Sequence, residues 1–320
     1  MDLHDKFCGA LLGTHAGDAL GMPLEGASAA SIKKRYGEVR EMLEARLGKG
    51  TYTDDTEMMI ALAESLLRCG DFDGADLANA LLENFSLERG YGTGSKRAME
   101  LIRAGTNWEE VGKRIFKDGS YGNGSAMRIA PVGCLYHHDL HKLKKVAYAS
   151  SSVTHAHPWG KEGAFLQALA VAKAVASDPE DVLDRTKYLQ DLKNEFSADS
   201  PYLASLEVIE ELIQIKPDVE EVVAKLGNDS RAMNSVPTAI YAFLTHNHSF
   251  EETVVYAVSI GGDTDTIGAM AGAIAGGYRG KSAIPSRWLD VLERGTKGAN
   301  YIEELATGLY NLHEEIVNQR

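Results

Sequence analysis

The chain has 320 residues, 44% of them hydrophobic and 25% charged, an ordinary globular composition with length enough for a large buried core. Its formal net charge of −13 argues against a nucleic-acid partner, because phosphate contacts need clustered Lys and Arg. The same charge makes any anionic ligand depend on local positive potential, from metal ions or helix N-termini.

Three cysteines, Cys8, Cys69 and Cys134, lack C-x-x-C spacing, which argues against a disulfide framework or a thiolate zinc site. Cys8 lies in the apolar run Phe7-Cys8-Gly9-Ala10-Leu11-Leu12, where it reads as a small buried hydrophobe. No basic n-region or signal-type segment opens the chain, so the cytoplasm is the expected address. The apolar stretch 267–277 is too short and glycine-rich to span a membrane.

The first run ends in Gly17-Asp18-Ala19-Leu20-Gly21, where Asp18, between small residues, reads as a structural hydrogen-bonding group. The Pro- and Gly-bounded loop Pro23-Leu24-Glu25-Gly26 follows, and Glu25 is a candidate functional carboxylate with a plain surface position as its alternative. Tyr52-Thr53-Asp54-Asp55-Thr56-Glu57 then precedes an apolar helical face of Leu62, Leu66 and Leu67. Arg89 through Gly94 forms a small-residue loop. A second one, Asp118 through Arg128, has glycines at 119, 122 and 124 that permit inward-facing backbone N–H groups. There Ser120 adds a hydroxyl and Tyr121 an aromatic face. His155 is a candidate phosphate donor, although a lone histidine is more often structural. Helical periodicity continues over 165–175, 203–215, 239–244, 253–260, 267–275 and 302–316, with 177–199 a polar surface loop plus helix. The glycines and alanines at 268, 271, 272, 275 and 276 allow a neighbouring helix to approach closely. Strand signals are almost absent and no linker divides the chain, so one all-α domain over 1–320 is expected.

Two motifs stand out from this background: Thr53-Asp54-Asp55-Thr56 and Gly262-Asp263-Thr264-Asp265-Thr266, each directly before an apolar helix. Singly, each reads as a helix cap, with Asp54 and Glu57 in capping-box spacing and Asp263 a second cap. Together, Asp54, Asp55, Asp263 and Asp265, with the hydroxyls of Thr53 and Thr266, form an all-oxygen ligand set. Such a set suits Mg²⁺ or Mn²⁺, whereas zinc prefers nitrogen and sulfur.

These motifs, with Thr154-His155-Ala156, occur in the order seen in ADP-ribosylglycohydrolases, which the chain resembles from Phe7 to Trp288. It looks most similar to the ADP-ribosylserine hydrolase branch, through Arg89-Gly90-Tyr91-Gly92, Gly119 through Gly124 and Ser235 through Tyr241. The resemblance implies a compact orthogonal helical bundle with two Mg²⁺ or Mn²⁺ ions held by Thr53, Asp54, Asp55, Asp263, Asp265 and Thr266. It implies an ADP-ribose cleft lined by Gly90, Phe116, Gly119, Ser120, Tyr121, Gly122 and His155, with Phe116 a second aromatic at the adenine. Glu25 matches a mobile glutamate, and Glu25, Asp55 and Asp263 are the acid/base candidates. The implied substrates are ADP-ribosylated proteins or related molecules such as poly(ADP-ribose) or O-acetyl-ADP-ribose, handled by a monomer. Ser230 and Ser125 depart from a close relative's pattern, which carries an apolar residue and a glycine there. Two alternatives stay open: an ADP-ribosylarginine hydrolase of the same fold, and a non-catalytic crystallin-like or ADP-ribose-binding protein.

Overall fold

A computed structural model describes residues 2–319. Its helices in the first half of the chain are α1 (Leu3–Gly21), α2 (Ala29–Tyr36), α3 (Asp54–Cys69), α4 (Gly74–Asn84), α5 (Thr93–Arg103), α6 (Trp108–Ile115), α7 (Ala130–Leu135) and α8 (Leu140–Ser152). There follow α9 (Pro158–Ala176), α10 (Arg185–Lys193), α11 (Pro201–Ile215), α12 (Val219–Leu226), α13 (Ala232–His246), α14 (Phe250–Ser259), α15 (Thr264–Arg279), α16 (Ser286–Leu289) and α17 (Ala299–Asn318). Among the described residues β-type pairing is confined to two isolated bridges, Ser28 with Gly261 and Gly122 with Arg231, so the fold is all-α. No helix among them is long and apolar enough to cross a membrane.

α1 and α15 form the centre. Both are buried around their whole circumference, from Lys6 to Gly21 and from Thr264 to Tyr278, as a helix enclosed by others must be. They meet along a seam of glycines spaced four residues apart, which places them on one helical stripe. Gly9, Gly13 and Gly17 face Gly276, Gly272 and Gly268, so the helices run antiparallel. A Cβ on Gly13 would lie 2.2 Å from the Gly272 carbonyl oxygen, and one on Gly272 would lie 2.1 Å from that of Gly13. The small residues of 268–276 thus receive a glycine face on α1. Around this pair, α9, α13 and α14 pack on α15, while α3, α7 and α17 pack on α1. Buried apolar side chains from Phe7 to Leu309 form one continuous cluster.

Prolines open α7, α9 and α11 in their first turns, where the missing N–H has no helical partner to lose. Pro237 differs. The expected helix over 239–244 in fact begins at Ala232 and carries Pro237 inside it. Its first turn is tied elsewhere: the Ala232 N–H donates to the Tyr121 carbonyl, and the Thr238 hydroxyl to that of Gly227.

Candidate functional site

Three helix ends converge. The seam brings the C-terminus of α1 to the N-terminus of α15, where the Thr264 hydroxyl donates to the Gly21 carbonyl at 2.8 Å. Asp18, near the end of α1, holds the start of α3. Its carboxylate accepts from the Thr53 N–H at 3.0 Å, the Thr56 N–H at 3.2 Å and the Thr56 hydroxyl at 2.6 Å. Asp18 is therefore the structural group its small neighbours suggested.

The capping alternatives are not what the structure shows. The N-cap of α3 is Thr53, whose hydroxyl accepts from the Asp55 N–H, while Glu57 accepts instead from the Ser86 N–H. Asp263 occupies the N-cap position of α15 without making a side-chain cap. Asp54, Asp55 and Asp263 are thus not spent on capping, Asp265 accepts the Thr266 N–H through Oδ1, and all four line one cleft.

Glu25 joins them. The loop that follows α1 is latched to the turn before α15, with the Gly26 N–H on the Gly262 carbonyl and the Gly262 N–H on that of Ala27, both 2.8 Å. Gly261 and Gly262 both take positive φ (78° and 76°), which glycine adopts without a Cβ penalty. Glu25 stands one residue before the latch. One carboxylate oxygen each from Glu25, Asp263 and Asp265 lies within 4.8 Å of the others. Arg46, 3.7 Å away, is the counter-charge of Glu25.

So many desolvated carboxylates resist ionisation together. Burial, then Asp18, pushes Asp54 up to about 8. Asp55 is raised well above the carboxylate range by burial and Asp18, and Asp265 by burial and Asp55. Shielding from solvent, then Asp263, raises Glu25. Asp55 Oδ1 is buried without a hydrogen-bond partner. An orphaned carboxylate oxygen inside a concentrated acidic, all-oxygen donor set fits a hard divalent cation, whose charge would restore ionisation.

The cleft has a volume of about 340 Å³. Of the residues expected to line it, Gly90, Phe116, Ser120, Gly122 and His155 do so, together with Glu25, Asp54, Asp55, Asp263, Asp265 and Thr266. Thr53 stays behind this wall, its hydroxyl donating to Asp55 Oδ2 at 3.1 Å. Gly119 and Tyr121 are not among the lining residues. Gly122 pairs with Arg231 in an extended conformation, and alternate residues of such a segment point to opposite sides. Ser120 and Gly122 face the cleft, while the half-exposed Tyr121 ring packs edge-on to His157 and Trp159. Gly119 lies against the backbone of Ala156 and His157.

Burial, helped by Arg128, pushes His155 down to about 3, so its ring is neutral. Because this value lies below the unfolded one near 6.5, the ring contributes stability that is present above pH 6.5 and lost as pH falls toward 3. The His155 ring resonances should therefore stay in the neutral form between pH 7 and pH 5 by NMR. A midpoint near 6.5 would show a solvated imidazole. Ser230 also lines the cleft, whereas Ser125 is buried against Ser151 and the Gly160 carbonyl.

Among the lining residues that the sequence reading did not single out, two make direct polar contacts that shape the site. Asn123 donates to Asp263 Oδ2 at 2.7 Å and to the Ser235 hydroxyl at 3.0 Å, fixing that carboxylate. Arg46 donates to the Arg89 carbonyl at 2.7 Å, close over Gly90, and is the one Lys or Arg among the lining residues. Asn123 sat inside the quoted glycine loop but was weighed only as backbone. Nothing in the sequence around Arg46 marked it.

The chain is similar to known proteins along nearly its whole length. The family model described as ADP-ribosylglycohydrolase matches residues 1–318. An uncharacterized protein of Archaeoglobus fulgidus is 38% identical, covering 98% of this chain and 99% of its own. The ADP-ribosylhydrolase ARH3 of Gallus gallus is 34% identical, over 94% of this chain and 93% of its own. A solved structure titled ADP-ribosylglycohydrolase-related protein complex superposes with a TM-score of 0.76 at 30% identity, covering 97% of this chain and 99% of that one. The chain belongs to the ADP-ribosylglycohydrolase family.

Proposed function

We propose that this protein hydrolyses the glycosidic bond joining ADP-ribose to an acceptor side chain, with serine-linked ADP-ribose as the favoured substrate and two Mg²⁺ or Mn²⁺ ions as cofactors. The observation that carries the reading is the convergence of Asp54, Asp55, Asp263, Asp265 and Glu25 at one cleft in which Arg46 is the one lining Lys or Arg. The motifs similar to those of ADP-ribosylserine hydrolases favour serine over arginine as acceptor.

Asp54, Asp55, Asp263 and Asp265, with the Thr266 hydroxyl and Thr53 behind it, would hold the ions. When bound, these supply positive charge that keeps the carboxylates ionised and polarises the distal ribose hydroxyls and water. Ser120, Gly122 and His155 would take the pyrophosphate, with Arg46 as their cation. If the Thr154 hydroxyl, 2.8 Å from His155 Nδ1, donates to it, Nε2 carries the ring proton as a donor. Phe116, half-exposed in the cleft wall, offers a face for adenine.

Water attacks C1″ of the ribose, the C1″–O bond breaks, a carboxylate takes the proton of the water and the serine oxygen leaves with a proton. Carboxylates beside the ribose oppose the positive charge that develops there. Glu25, Asp55 and Asp263 are the proton-handling groups.

The deciding experiment offers serine-linked and arginine-linked ADP-ribosyl peptides side by side and measures free ADP-ribose. Release should occur from the serine peptide, vanish after EDTA treatment and return with Mg²⁺ or Mn²⁺ better than with Zn²⁺. Full turnover after exhaustive metal removal would overturn the cofactor assignment, and release from the arginine peptide alone would overturn the substrate.

Asn123 should matter as a positioning residue. With its amide removed, Asp263 keeps its charge but loses the contact that orients it. Asn123→Ala should weaken Mn²⁺ affinity by roughly 10- to 100-fold, the usual effect of removing a group that orients a metal ligand. Unchanged Mn²⁺ titrations by calorimetry would show that the contact positions nothing.

A further inference from the structure

Apart from the carboxylate cleft, three histidines come together where α7 gives way to α8. His137 and His138 follow the end of α7, and His313 reaches the same place from α17. One ligand nitrogen from each lies within 4.8 Å of the other two. The His137 and His313 rings stack with centroids 4.5 Å apart, and His138 meets His313 edge-on at 4.7 Å. None of the three lines the carboxylate cleft.

The tautomers of two rings are set by their partners. His137 Nδ1 lies 2.8 Å from the Cys134 carbonyl and His313 Nδ1 lies 3.1 Å from that of Leu135. A carbonyl only accepts, so each Nδ1 carries the proton and each Nε2 keeps its lone pair. Metal-binding histidines show this same arrangement, with the far ring nitrogen tied to a carbonyl or carboxylate. His313 is buried and His137 and His138 are half-buried, so an ion can reach the cluster from solvent.

We propose that His137, His138 and His313 form a second metal site, selective for a nitrogen-preferring transition ion such as Zn²⁺ and separate from the carboxylate centre. Nitrogens bound tetrahedrally at about 2.0–2.1 Å sit roughly 3.4 Å apart, so an ion would draw the three rings together and turn the stacked His137 and His313 rings out of their present stacking, since an imidazole lone pair lies in the ring plane. Three imidazoles fill three positions and leave the fourth to water or a further ligand. The chain then sorts its metals by donor chemistry: oxygen for Mg²⁺ or Mn²⁺ in the cleft, nitrogen for Zn²⁺ between α7 and α17. An ion here would tie α17 to the end of α7 and stabilise the fold by mass action.

The test uses the full chain, stripped of metal and then saturated with Mg²⁺ so that the carboxylates are filled. Zn²⁺ added to this protein should bind at one equivalent and raise Tm by several degrees. Co²⁺ in its place should give visible d–d bands without a thiolate charge-transfer band, which separates ligation by the histidines from ligation by Cys134, whose carbonyl holds His137. His138→Ala and His137→Gln should each lose the bound equivalent and the Tm rise, while keeping the wild-type Tm in EDTA. Asp263→Asn should keep both. Absence of a Zn²⁺ equivalent in the wild type, its persistence in both histidine variants, its loss in Asp263→Asn, or a thiolate band would each overturn the proposal. If one histidine variant fails to fold, the other decides.

Discussion

Glu25→Gln is expected to cut single-turnover release of ADP-ribose by roughly 10²–10⁴-fold, the range for losing a general acid or base. The substitution keeps the shape of the side chain and removes its ability to ionise. Glu25 sits within 4.8 Å of the Asp263 and Asp265 oxygens, and its carboxyl is held above its ordinary value, nearer the pH at which a group both gives and takes protons. ADP-ribose affinity should fall much less, because the aspartates, the Ser120–Gly122 segment and His155 remain. Both quantities are measured at saturating Mg²⁺. Near-wild-type release would make Glu25 a bystander, paired with Arg46 at the surface. Equal losses in release and affinity would make it a binding residue.

Gly272→Val is expected to cost at least about 3 kcal/mol of stability, at or beyond the upper end of ordinary overpacking. The added Cβ would lie 2.1 Å from the Gly13 carbonyl oxygen, and backbone cannot rotate away as a side chain can. α1 and α15 must separate along their whole length to admit it. Against a total of roughly 5–15 kcal/mol for a folded domain, such a loss brings the chain close to unfolding. Gly92→Ala is the control, since a Cβ there meets nothing within 4 Å. Urea unfolding followed by circular dichroism should shift strongly for the first variant and hardly for the second. Equal small shifts would mean that the seam is looser than its geometry indicates.

What the sequence disclosed, and what it withheld, follows from how local each feature is. Thr53-Asp54-Asp55-Thr56 and Gly262-Asp263-Thr264-Asp265-Thr266 are legible because all their chemistry sits within five adjacent residues, each set at a helix start. The long buried helices are legible for the same reason. Shorter ones such as α5 and α6 are strongly amphipathic, but 11 and 8 residues give the pattern only about two or three turns in which to repeat. Asn123 acts through a carboxylate 140 residues away, and Arg46 through a loop over 40 residues downstream, so no window of sequence contains either partnership. Tyr121 shows a different limit. Its aromatic character was plain, but the pairing of Gly122 with Arg231 decides which way it faces, and that pairing is tertiary.

The glycine seam also governs how the protein can be made. α1 is buried on every side from Lys6 to Gly21 and finds its principal partner only in α15, which ends 258 residues after α1 does (279 − 21). At synthesis rates of about 5–20 residues per second, α1 waits roughly 13–52 s on the ribosome before that partner is complete. Throughout that interval a helix with no solvent-compatible face is available to other nascent chains. Newly made chains should therefore be most aggregation-prone when stalled just short of Arg279, and translation past that point should release them from chaperone dependence.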